Sequence, residues 1–310
     1  MLTIHLAHSN GSTPEARIQS PRVIETTADE KGVFAELPKG DDSEESLADA
    51  RKRIFLRYNA MGRLARKLIE RKLPSLIVSG PPGLGKSYTL DTELSASGRY
   101  RHDGLEPLED GGNWYDHISG GCTAPGLYHA LWNMRQGGVL LIDDCDAVFH
   151  DEESINLLKI ATDSSKKRLL SWRKRAHWLD LYKIDRTFDF NGHVAFLTNI
   201  DFEQEIQKNN RHTEHFKALI DRAHYLCLTL RTQRDFMIRI RQVAIEEGML
   251  ERDHRLNALQ AETVLQYIEE NKYRFYNLSL RLVGQIAIAM QADPDHWQAD
   301  VEATKMKTQI

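Results

Sequence analysis

Apolar positions change their period along this chain. Over its first helical stretch they fall at Leu47, Ala50, Ile54, Tyr58, Met61, Ala65 and Leu68, every third or fourth residue, which predicts an amphipathic helix within 43 to 72. From Leu76 the apolar residues gather instead into short runs: Leu76-Ile77-Val78, Trp114 to Ile118, Val139-Leu140-Leu141-Ile142, Val194-Ala195-Phe196-Leu197 and Tyr225 to Leu230. A strand covered on both faces needs such continuous runs. Helical spacing returns between them, from Gly85 to Leu94 with a stop at Ser97-Gly98, from Pro125 to Met134, and over 151 to 163 with Ile155, Leu158, Ile160 and Ala161 inward. The Gly- and charge-rich segment 99 to 112 reads as a loop. Beyond Arg231 the strands stop, and the rest reads as three or four helices broken at Gly248, around Asn271 to Asn277 and at Pro294.

That order predicts an α/β core over 43–230, built on a parallel sheet, followed by an all-helical lid over 231–310. Residues 1–42 are polar and weakly periodic, the pattern of a flexible arm. Acids at Asp41, Asp42, Glu44 and Glu45 suit the positive end of the helix that follows.

Composition narrows the class. The chain has 310 residues, 41% hydrophobic and 28% charged, and lacks an apolar stretch long enough for a transmembrane helix. Its start lacks the basic and apolar regions of a secretion signal. Cys122, Cys145 and Cys227 are far apart without CxxC spacing, which suits reduced thiols and a cytoplasmic protein. A formal charge of −4 gives no global attraction to nucleic acid, so any such attraction is local. His212 and His215 are the nearest histidine pair and read as a solvated face rather than a metal site.

The chemistry starts at the end of the first apolar run. Gly80-Pro81-Pro82-Gly83-Leu84-Gly85-Lys86-Ser87 is a complete phosphate-binding P-loop between a strand and a helix. Glycines let backbone N–H groups face the phosphates, and the helix N-terminus adds positive potential. Lys86 is placed to reach the β- and γ-phosphates, and Ser87 to hold Mg²⁺. The third run ends in Asp143-Asp144-Cys145-Asp146. An acid at the end of a buried strand can hold Mg²⁺ through water (Asp143), and a second acid can deprotonate the attacking water (Asp144). The fourth run ends in Thr198-Asn199, an amide able to orient that water. Arg222 precedes the fifth run, and Arg281 opens a helix of the lid; each can meet the charge that develops in phosphoryl transfer.

In this order the features resemble the AAA+ ATPase superfamily over about residues 50 to 291. Gly80–Ser87 matches its Walker A motif and Ile142 to Asp146 its Walker B motif. Asn199, Arg222 and Arg281 match sensor 1, the arginine finger and sensor 2. The resemblance implies ATP and Mg²⁺ as ligands and a homo-oligomer, most often a hexamer, in which Arg222 acts on the neighbour's ATP. Asp143 to Asp146, Ser154 to Leu158 and Leu170-Ser171-Trp172 are similar to small stand-alone AAA+ proteins of tailed phages and related elements; the host cytoplasm is the location if the gene is phage-borne. Most of the superfamily carries Glu where this chain has Asp144, one methylene shorter, which leaves open a slow, switch-like turnover. A GTPase is excluded because Thr198-Asn199-Ile200-Asp201 lacks the lysine of the guanine motif.

Two segments bear on the substrate. His117 to Cys122 stands where polypeptide-threading relatives carry an aromatic tip, and has none. Lys166, Lys167, Arg168, Arg173, Lys174 and Arg175 surround Trp172 with no intervening acid. Basic groups with an interleaved aromatic could follow a DNA or RNA backbone and stack on a base. A solvated basic hairpin with Trp172 packed inward, or a site for an acidic protein, also fits. The expected function is an oligomeric ATPase that moves or remodels nucleic acid or nucleoprotein; the alternative is a protein-directed chaperone, adaptor or slow assembly switch.

Overall fold

A computed structural model of the chain describes residues 45–102, 107–164 and 167–308. The expected arm, 1–42, and Lys166 lie outside the described residues. The strands among them are β1 (Ser75–Ser79), β2 (Tyr100–His102), β3 (Trp114–Ser119), β4 (Val139–Asp143), β5 (Leu169–Ser171), β6 (Thr187–Asp189), β7 (His193–Thr198) and β8 (His224–Cys227). Six of them form one parallel sheet in the order β2-β3-β4-β7-β1-β8, and β5 pairs antiparallel with β6. The α/β class, the parallel P-loop core and the C-terminal helical lid are all present.

The strands read as apolar runs because both faces of the sheet are covered. Alternate residues of one strand point to opposite faces. Leu76 and Val78 therefore join one core with α1 (Leu47–Ile69), α2 (Lys86–Ala96) and the lid. Ile77 joins the other with α3 (Ala124–Asn133), α4 (Glu152–Ala161), α5 (His177–Leu181), α6 (Phe202–Gln207) and α7 (Thr213–Arg222). Side chains at the helix starts satisfy amides left open by the first turn: Ser46 accepts from Asp49 N, Thr123 from Gly126 N and Asp151 from Ser154 N.

The lid holds α8 (Gln233–Arg241), α9 (Met249–His254), α10 (Ala258–Asn271), α11 (Leu280–Ala292) and α12 (Trp297–Lys305), with a π-helical turn at Gln242–Glu246. It therefore has more helices than expected. The segment 99 to 112 also departs from its reading as loop, because β2 adds an edge strand to β3. The last sheet strand ends at Cys227 rather than Leu230, and Thr229 beyond it has φ +53°. On α4, Ile160 faces outward rather than into the core.

The register fixes the site. β7 lies between β1 and β4, with Ser79 opposite Thr198 and Leu197 opposite Asp143. The loops leaving β1, β4 and β7 thus share one edge of the sheet, the carboxyl-end crevice where open α/β sheets bind ligands.

Candidate nucleotide site

Two glycines in the left-handed region, Gly83 (φ +72°) and Gly85 (φ +97°), turn the chain from β1 into α2. No side chain caps α2 and no acid lies in its first turn. Its N-terminal amides therefore have no side-chain cap, an arrangement that suits an anion. Lys86 is 5% exposed, and its ammonium donates to Gly80 O at 2.5 Å, Pro81 O at 2.9 Å and Asn199 Oδ1 at 2.9 Å. Burial pushes Lys86 down to about 8, against the opposing pull of Asp144, Asp143 and Asp146.

Asn199 joins the two halves of the site. Its Oδ1 accepts from Lys86, and its Nδ2 donates to Asp144 Oδ1 at 2.8 Å. A donor-only ammonium on one side and a carboxylate on the other fix which way the amide faces. Thr198 Oγ1 donates to Asp146 Oδ1 at 2.6 Å, which ties β7 to the turn after β4. Asp144 occupies that turn with φ +52°, a conformation aspartate tolerates better than most residues. The turn aims its carboxylate at Asn199 while Asp143 stays on the strand.

Asp143 is buried, and its Oδ1 has no hydrogen-bond partner. Burial would raise its carboxyl, but His117, the Ser87 hydroxyl and Lys86 hold it below the usual carboxylate range. An orphaned, ionised carboxylate oxygen beside Ser87 fits a divalent cation shared with phosphate. Among the described residues no group of three or more His, Cys, Asp or Glu could enclose a metal by itself. Mg²⁺ would therefore depend on Ser87, Asp143, phosphate oxygens and water.

The lid reaches the P-loop directly. Leu280 N donates to Gly83 O at 2.8 Å, and a Cβ on Gly83 would stand 2.8 Å from Ser279 Cβ. Ser279 caps α11 by accepting from Leu282 N. Arg281, the next residue of α11, is exposed, and its charge is felt at Lys86. Gly80, Pro81, Pro82, Gly83, Leu84, Gly85, Lys86, Ser87, Asp143, Asp144, Asn199 and Arg281 thus belong to one locus.

Arg222 does not join them. It ends α7, donates to Ala218 O at 3.0 Å and lies 3.4 Å from Asp163 Oδ2, beside a 340 Å³ cavity that Ile160 and Leu169 also line.

The basic segment supplies β5 of the β5–β6 hairpin and the turn that leads from it into α5, and two of its expected nucleic-acid contacts do not hold. Trp172 is 8% exposed, with its ring centroid 5.5 Å from those of Tyr128 and Trp178, so it has no free face for a base. Arg168 is 9% exposed, donates to Ala161 O at 2.8 Å and Gly192 O at 2.7 Å, and stacks over Phe190. It ties β5 to the end of α4 and to the loop between β6 and β7. Lys167, Arg173, Lys174 and Arg175 are exposed, and Lys174 pairs with Glu153.

The chain is 33% identical over 261 residues, 84% of its length and 77% of the relative's, to the "Uncharacterized 36.7 kDa protein in nrdC-mobD intergenic region" of Enterobacteria phage T4. It belongs to the family of that phage protein. No protein-family model matches the chain. NtrX from Brucella abortus superimposes with a TM-score of 0.41 in both its ATP and its ADP complex, at 12% and 13% identity. The overlap covers 77% of this chain and 53% and 50% of the NtrX chains, so the chain spans about half their length.

Sequence reasoning missed the approach of His117, backed by Asp91, to Asp143. His117 Nδ1 lies 3.2 Å from Asp91 Oδ1 on α2, and its Nε2 lies 3.7 Å from Asp143 Oδ2 on β4. Interaction with Asp143, opposed by burial and aided by Asp91, raises the imidazole above its usual value. The available signal was position: His117 lies near the end of the strand beside the one that carries Asp143.

Proposed function

We propose that this protein is an AAA+ ATPase that binds Mg-ATP and hydrolyses it as a homo-oligomeric ring or spiral, most often a hexamer in this superfamily. The observation that supports this best is the continuous link Lys86–Asn199–Asp144 across three loops at one sheet edge. Mg²⁺, when bound, offsets negative charge on the β- and γ-phosphates. The α2 amides and Lys86 bind those phosphates, and Ser87 and Asp143 supply the protein oxygens for the metal. Asp144 accepts the proton of the water whose oxygen attacks the γ-phosphorus; the bond to the bridging oxygen breaks and its electron pair leaves with ADP. Asn199 holds Asp144 in place and leaves its second oxygen for the water. Arg281 brings the lid onto the phosphates. Arg222, away from its own P-loop, meets the neighbour's γ-phosphate.

The work done with ATP is remodelling of nucleic acid or of a nucleoprotein complex through the exposed cations of the β5–β6 hairpin. A second reading, a protein-directed adaptor or slow assembly switch, is favoured by the burial of Trp172, which removes the expected stacking group. Phosphate release with and without DNA tests both. Wild-type release above that of Lys86→Ala and Asp143→Ala supports hydrolysis, and equal release refutes it. Stimulation by DNA that fades with salt supports the first reading, and its absence leaves the second.

A further inference from the structure

Two side chains act closely on the Asp143 carboxylate, the Ser87 hydroxyl from the P-loop helix and the His117 imidazole from β3. Lys86 spends its donors on Gly80, Pro81 and Asn199, so it does not fix the Asp143 carboxylate. Cys145 Sγ contacts the Asp143 backbone carbonyl at 3.4 Å, not its side chain. Besides Ser87, which the nucleotide reading assigns to the metal, the side chain that approaches a carboxylate oxygen is His117, 3.7 Å from Oδ2. That gap is an ion-pair distance rather than a hydrogen bond, and it leaves His117 Nε2 buried without a partner. The ring is aimed from behind: Asp91, one and a half turns into the P-loop helix, lies 3.2 Å from Nδ1. A carboxylate behind an imidazole fixes the ring's orientation, and partners of metal ligands in turn tune metal affinity.

We propose that His117 is a positioning residue for Asp143, aimed by Asp91, and that this Asp91–His117–Asp143 line sets the affinity of the site for Mg²⁺. The inference rests on the nucleotide reading above. It connects α2, β3 and β4, so the helix that binds phosphate also orients the acid that holds the metal. Both His117 and Asp91 act through Asp143 and touch no reacting atom.

The test titrates Mg²⁺ into protein and fluorescent ADP in chelator-treated buffer, reading nucleotide affinity rather than turnover. For His117→Ala the Mg²⁺ concentration at half-effect rises about 10-fold or more, the range typical of lost metal-ligand partners, while Mg²⁺-free affinity for ADP holds at the wild-type value. His117→Gln, which keeps a donor near Nε2, recovers part of the loss. An unchanged half-point in His117→Ala overturns the proposal. Should His117→Ala fail to fold, Asp91→Asn at a side chain 45% exposed carries the test: a raised half-point supports the line, and a wild-type half-point overturns it. A wild-type protein that binds ADP with no response to Mg²⁺ sinks the proposal and leaves nucleotide binding standing. One that binds no ADP removes the nucleotide reading itself.

Discussion

Leu280 donates its backbone N–H to the Gly83 carbonyl at 2.8 Å, which joins the first residue of α11 to the centre of the P-loop. The approach is close enough that a Cβ on Gly83 would stand 2.8 Å from Ser279 Cβ. Gly83→Ala therefore meets two penalties. The left-handed backbone costs a non-glycine residue about 1–2 kcal/mol, and the new methyl pushes Ser279 and α11 away. Thermal unfolding should shift down and ADP affinity should fall. Adding Ser279→Gly removes the collision but not the backbone cost, so the double variant should recover affinity more than stability. Equal affinity in wild type and Gly83→Ala would show that the lid contact does not shape the site.

Asp144 accepts from Asn199 at 2.8 Å and stands in a turn that aims it away from the strand. Asp144→Asn keeps the size of the side chain and removes its capacity to take a proton. It should bind nucleotide as wild type does and lose turnover by about 10²–10⁴-fold, the usual contribution of a general base. Asn199→Ala removes the shared partner of Lys86 and Asp144 and should lower both binding and turnover. Paired ADP-binding and phosphate-release assays separate the two patterns. Turnover retained in Asp144→Asn would assign the base elsewhere.

Much of this architecture could be read from residue order because β1, β4 and β7 are covered on both faces and leave continuous apolar runs. The P-loop and the acids after β4 follow those runs directly. β2 was not legible: it is a short edge strand with Tyr100 and Arg101 outward, and its polar sequence looks like loop. The hairpin misled for another reason. Arg168, Leu170 and Trp172 alternate inward with period two, while Lys167, Leu169 and Arg173 face out. The buried Trp172 agrees with the alternative of a basic hairpin whose tryptophan packs inward, and the inward arginine donates to the carbonyls of Ala161 and Gly192. The contact of His117 with Asp143 depends on strand register, which a single chain of letters does not carry.

The hairpin makes its own prediction. Trp172→Ala empties a buried aromatic cluster and should cost about 3–5 kcal/mol of stability, measured by denaturant unfolding. Combined replacement of the exposed Lys167, Arg173 and Arg175 by Ala should change stability by no more than about 0.5 kcal/mol per substitution, as surface changes do. The same triple variant should abolish any stimulation of phosphate release by DNA. Stimulation that survives it would move nucleic-acid contact to another surface, the next to test being the exposed Lys52, Arg63 and Lys67 of α1.

Arg222 sits 3.4 Å from Asp163 and apart from the Lys86 locus of its own chain. A residue that completes the neighbour's site predicts complementation. Arg222→Ala should keep wild-type affinity for ADP while phosphate release falls about 10³–10⁵-fold, the range for arginine fingers. Asp144→Asn fails for a different reason, because it has an intact Arg222 but no base. In a mixed assembly, an Asp144→Asn subunit can present Arg222 to an Arg222→Ala neighbour whose Asp144 is intact. Mixing the two inactive proteins should therefore restore a fraction of wild-type release, and dilution below the assembly concentration should remove it again. Full turnover by Arg222→Ala alone would end the assignment. Two stable, nucleotide-binding variants that stay silent together would place the missing charge within the same subunit.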